Sequence, residues 1–137
     1  MGKRRSREWY RKHPRNKYWR KKAHEAWREQ VYAITGGCCA VCGRRGRLDP
    51  HHILGKGAYP RYRFAVENGL PLCRFHHRTG CRGHISAHGT PRKFDEWLKE
   101  HYVDKWKWLQ SARLDADEPS QETPMEAYYR LTGKETP

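Results

Sequence analysis

Apolar side chains recur at helical spacing in two long stretches of this chain. Trp19, Ala23, Trp27, Val31 and Ile34 follow one another at intervals of three to four, with Asn16 as an N-cap and Gly36-Gly37 as a stop. Phe94, Trp97, Leu98, Tyr102, Trp106 and Leu109 repeat the pattern after Thr90-Pro91, which predicts one long helix packed through that stripe. Thr123-Pro124-Met125-Glu126 is a capping box with proline at the first helical position, and Gly133 closes a short C-terminal helix. Between the stripes, residues 38–90 show little periodicity but many Gly, Cys and His, which predicts short strands and turns. His51-His52-Ile53 reads as a strand, and Gly55, Gly57 and Pro60 mark a loop. Leu70-Pro71-Leu72 approaches a short helix that begins near Cys73. Residues 1–15 read as a basic arm interrupted by Pro14. The chain therefore divides into an arm and helix (1–35), a central domain with its packing helix (36–110) and a tail with a short helix (111–137).

Composition narrows the function. With 137 residues, 36% of them hydrophobic, there is material for one domain with a modest core. No run of ten apolar residues occurs, so a membrane-spanning helix or signal-peptide core is not expected. Twenty-nine Lys and Arg against 15 Asp and Glu give a net charge of +14. The excess lies before residue 111, and the tail is mildly acidic. Such a surface attracts polyanions, nucleic acid above all. Six Trp and eight Tyr argue against simple basic disorder. Arg4, Arg5 and Arg7 in the arm, Arg20 and Lys21 on the helix face opposite the Trp stripe, and Lys56, Arg61 and Arg63 in the loop are the candidate phosphate contacts.

Five cysteines, an odd number, without a secretory signal speak against a disulfide framework. Six of the nine histidines lie between residues 51 and 88, which also carry Cys73 and Cys81. Such a mixture of thiols and imidazoles points to metal. Cys39-Ala-Val-Cys42-Gly43 is a knuckle whose glycine lets the backbone turn behind the ion, and Cys73-Arg-Phe-His76 repeats the two-residue gap. Cys39, Cys42, Cys73 and His76 thus make a Cys₃His set for structural zinc, whose binding energy would supplement a thin core. Cys81, His84 and His88 have helix-like ligand spacing of their own and are further candidates, for a second zinc or with Cys81 in place of His76. Cys38 reads as a small buried thiol.

The order Cys-x-x-Cys-Gly, His51-His52-Ile53, Asn68-Gly-Leu-Pro-Leu-Cys73 and His76-His77 resembles the HNH endonucleases of the ββα-metal class, over residues 38–90. The His-Gly that follows is similar to phage-encoded members, including the RecA-dependent Ref-type nucleases. The resemblance implies an α+β fold with a zinc-stabilised ββα-metal core, flanked by the basic N-terminal helix and the C-terminal helices. It implies DNA as substrate, and the cytoplasm of a bacterial or phage-infected cell as location. It makes His52 the general base, His51 and His77 the ligands of a catalytic divalent ion, and Asn68 the brace of the loop behind the base. Adjacent strand residues point to opposite faces, so different roles for His51 and His52 are physically reasonable. An imidazole can take a proton from water at neutral pH. Commoner members of the family have Asp where His51 stands, and replacing an oxygen ligand by nitrogen shifts preference from Mg²⁺ toward Mn²⁺, Ni²⁺, Co²⁺ or Zn²⁺. A zinc-stabilised DNA-binding module without catalysis would account for the charge and the Cys₃His set, but leaves His51, His52, Asn68 and His77 without a role. RNA as the substrate is a third reading, and no 2′-hydroxyl-reading motif separates it from DNA.

Overall fold

The structure is a computed structural model that describes residues 4–79 and 84–136. It is a mixed α/β arrangement of helices around a two-stranded antiparallel sheet. A short helix α1 (Arg7–Arg11) precedes α2 (Lys17–Ala33); strands β1 (Leu48–His52) and β2 (Gly69–Cys73) follow. One wide helical turn (Phe75–Thr79) leads to α3 (Pro91–His101), α4 (Val103–Ala112) and α5 (Pro124–Thr132). No helix among the described residues is long and apolar enough to cross a membrane.

Local sequence explains α2 and α5. The Asn16 side chain accepts a hydrogen bond from the Tyr18 amide at 2.9 Å, and the stripe buries Trp19, Ala23, Trp27 and Val31. Thr123 and Glu126 close the capping box reciprocally, and Gly133 ends α5 at φ 68°, the left-handed region that glycine occupies without steric cost.

The basic arm carries a short helix: Ser6 caps α1, and Tyr10 stacks on Tyr18 at 4.1 Å between ring centroids. The predicted long helix is broken at Tyr102, where the backbone leaves the helical region. Periodicity survives the break because α4 folds back on α3, with Asp95 accepting from Trp106 Nε1 at 3.3 Å and pairing with Arg113 at 2.9 Å. Both halves of the stripe thus reach one core, in which Phe94, Trp97, Leu98 and Leu109 pack with Leu48, Leu70 and Leu72 of the sheet. A second cluster joins Ala23, Trp27 and Val31 of α2 to Phe64 and to Ala127 and Leu131 of α5.

β2 continues through Cys73, so the helical turn starts two residues later than the sequence predicts. In the ladder Pro50 faces Pro71, and His52 faces Gly69. The same alternation makes these non-hydrogen-bonded pairs, so neither proline is asked for an N–H. Gly69 is needed for space: a Cβ there would stand 2.4 Å from Val31 and 2.8 Å from the Trp27 indole. That close approach brings α2 down onto the sheet and lays Trp27 over His52.

Candidate functional site

Among the described residues, two groups of side chains that could ligate a metal flank the sheet. In the first, Cys39, Cys73 and His76 are buried and Cys42 is exposed. Gly43, at φ 73°, turns the knuckle so that its amide returns to the Cys39 carbonyl at 2.9 Å. The Ala40 amide ties the knuckle to β2 through Pro71, also at 2.9 Å. The Cys42 and Cys73 sulfurs lie 3.9 Å apart, far beyond the ~2.05 Å of a disulfide. His76 Nδ1 stands 3.2 Å from Cys73 Sγ and 3.9 Å from Cys39 Sγ. A tetrahedral zinc with Zn–S of about 2.3 Å spaces its sulfurs by about 3.8 Å, so the donor set fits such an ion. This group could bind a metal ion.

The second group is His51, His77 and His88, whose ligating nitrogens all lie within 4.8 Å of one another. The His76-His77 pair divides between the groups, one imidazole to each. His77 Nδ1 donates to the Asp49 carboxylate at 2.9 Å, which turns Nε2 toward His88 Nε2, 3.2 Å away. Two imidazole nitrogens at that spacing share either a proton or an ion. The amides of Ala87 and His88 bond the carbonyls of His76 and His77, holding the second segment against the helical turn. His51 is 6% exposed, and its pKa falls to about 3, first through burial and then through the neighbouring histidines His77, His88 and His52. A neutral imidazole of this kind is a ready ligand.

His52 belongs to neither group. Strand alternation turns it away from His51, onto the face of Trp27 at 4.0 Å and nearly parallel. Its Nε2 lies 2.9 Å from the Arg63 carbonyl, which can only accept, so the proton sits on Nε2, and the Nδ1 lone pair has no partner among the described residues. Burial lowers its pKa to about 4, with His24, Lys56 and Arg63 adding to the effect and the Arg63 carbonyl opposing it. Asn68, fully buried, accepts from the Leu54 amide at 2.7 Å and donates to the carbonyls of Leu54 and Tyr62. It clamps both ends of the loop that supplies the Arg63 carbonyl.

His52, His77 and Asp49 line a cleft of about 500 Å³ whose rim carries Arg47, Lys56, Arg74 and Arg78. Of the predicted phosphate contacts, Lys56 lines this cleft. Arg63 lies beside His52, with its Nε buried and without a partner among the described residues, and Arg20 is close enough to lower its pKa after burial does so. Lys21 and Arg61 are exposed and do not line the cleft. Arg4 is exposed, Arg5 stacks over Trp9 at 3.9 Å, and Arg7 faces a different cleft. Residues 84–86 are not helical, so the His84–His88 spacing puts the two on no common face; His84 is exposed and joins neither group, whereas His88 joins His51 and His77. Cys81 lies outside the described residues. Cys38 is half-buried, with its Sγ 3.1 Å from the Thr35 carbonyl.

Sequence reasoning missed Asp49, His24 and the rim arginines. Asp49 carries a signal in retrospect, since it shares a strand face with His51 two residues on. Comparison with family models, with characterised proteins and with solved structures finds no match for this chain.

Proposed function

We propose that the chain is a metal-dependent endonuclease of the HNH, ββα-metal class that hydrolyses DNA phosphodiester bonds. The observation that carries the reading is the separation of His52 from both ligand groups: its Nε2 is tied to Arg63, its Nδ1 has no partner among the described residues, and it opens on a basic cleft beside His77. β1, β2 and the turn at Phe75–Thr79 supply the strand–strand–helix unit on which this depends. His51, His77 and His88 would hold the catalytic divalent ion, and three imidazole nitrogens suit Mn²⁺, Ni²⁺ or Zn²⁺ better than Mg²⁺. When bound, that ion supplies counter-charge for the developing phosphorane and the leaving 3′-oxygen. His52 takes the proton from the attacking water at Nδ1. Asn68 fixes the loop that aims the imidazole, and Asp49 orients His77. Arg47, Lys56, Arg74 and Arg78 bind the flanking phosphates. Structural zinc in the Cys39, Cys42, Cys73 and His76 group fastens the knuckle to the sheet.

Nicking of supercoiled plasmid with a panel of divalent ions, run beside His52→Ala, tests the proposal. The wild type nicks with at least one ion, and the variant loses on the order of 10²–10⁴ in rate while binding DNA normally. Equal nicking by the two proteins removes His52 from the mechanism, and no nicking with any ion overturns the assignment.

A further inference from the structure

A second cleft, of about 420 Å³, lies where α1, the first turns of α2 and α5 meet. It shares no lining residue with the cleft that holds His52. Helical periodicity separates the two: Tyr18 and Lys22 lie on one side of α2, and Arg20 and His24 on another. The walls are aromatic. Tyr10 and Tyr18 stack at 4.1 Å, and Trp19 packs at 5.6 and 5.7 Å between centroids against Tyr128 and Tyr129. Trp19 Nε1 donates to the Tyr10 carbonyl at 2.8 Å, which pins α1 over the cleft. Aromatic walls alone would be ordinary packing. The charges around them are not, because Arg7, Arg11, Lys22 and Lys134 line the same cleft against the single acid Glu135. None of those four cations is in an ion pair among the described residues. Lys22 Nζ instead stands 5.3 and 5.5 Å from the rings of Tyr18 and Tyr128.

Stacking surfaces rimmed by unpaired cations match one ligand chemistry: a flat heteroaromatic ring joined to a phosphate. The volume lies within the ~300–1,000 Å³ of small-ligand sites. We infer that this cleft binds an unpaired nucleotide of a single-stranded nucleic acid, its base against the half-buried rings of Tyr10 and Tyr129 and its phosphates on Arg7, Arg11 and Lys134. Duplex DNA, whose bases are stacked inside, offers only its phosphates to the same residues. The inference stands on this cleft alone and is independent of cleavage at His52.

Fluorescence anisotropy without added divalent ion tests it, using full-length protein with labelled dT12, rU12 and a 12-mer abasic strand of equal charge. The wild type binds dT12 or rU12 more tightly than the abasic strand by about fivefold to a hundredfold, as stacking of one base implies. Whichever strand shows the preference is the ligand. Tyr129→Leu, which keeps apolar bulk but removes the ring, abolishes most of that preference while leaving abasic binding unchanged. Equal binding of all three strands by the wild type overturns the inference, as does an undiminished preference in the variant. Should the variant fail to fold, photocross-linking of the wild type to a bromodeoxyuridine strand gives the answer. Label on α1, on Tyr18–Lys22 or on α5 supports the cleft, and label confined to other segments contradicts it.

Discussion

The two ligand groups share a scaffold, with His76 in one and its neighbour His77 in the other, yet they differ in nearly every property that matters to an ion. The first has four donors, three of them thiols, and fills a tetrahedron from protein alone. The second has three imidazoles, a carboxylate behind one of them, and a basic cleft in front. On the proposal above, the four-donor, sulfur-rich set would hold its metal as part of the fold, whereas the three-nitrogen set would leave coordination positions for water and substrate. The contrast teaches that one small sheet can position two unlike sets of metal-ligating side chains without merging them. The wide turn at Phe75–Thr79 accomplishes this by sending consecutive histidines in different directions.

The largest expected effect breaks the first group. Cys73→Ser leaves the proposed zinc site short of a buried thiolate, and the apparent binding energy of such sites, about 10–16 kcal/mol in finger peptides, is folding energy. The variant should lose its circular-dichroism melting transition together with its zinc; a zinc-free protein that melts like wild type would remove the structural role. Removing Asp49 is a smaller change to the second group. Asp49→Asn should weaken binding of the proposed catalytic ion by about 10–100-fold, with unchanged melting temperature, measured by titrating Mn²⁺ in the nicking assay. Unchanged ion dependence would show that the carboxylate does not support His77.

Gly69→Ala acts between the groups. Its Cβ would collide with Val31 and Trp27, costing about 1–3 kcal/mol in denaturant unfolding and lifting the indole from His52. Zinc content should not change, so a variant that melts normally would mean that α2 sits less tightly on β2 than described. Thr123→Ala should lower stability by about 1 kcal/mol through loss of the α5 cap, with zinc content and nicking at wild-type levels. Any loss of nicking there would tie α5 to the reactive group.

What could be read beforehand depended on how local the cause is. α2, α5 and their caps follow from side chains within a few residues of one another, and the Cys₃His set follows from two short spacings. The break at Tyr102 does not, because the apolar period runs through it and only the fold-back onto Asp95 reveals the bend. His88 was legible as a ligand but not as the partner of His51 and His77. Its place is set by backbone bonds to His76 and His77, which no side-chain pattern announces. His52 was expected on a different face from His51, and strand alternation is why; its stack on Trp27 required the tertiary contact permitted by Gly69.

Metal stoichiometry tests the difference between the groups most directly. Native mass spectrometry of full-length protein, before and after dialysis against a mild chelator and then with added Mn²⁺, should show one zinc retained throughout. A second ion should appear only on addition and be absent from His77→Ala, which keeps the zinc. Two ions of equal tenacity, or loss of both in one step with the fold, would contradict the account.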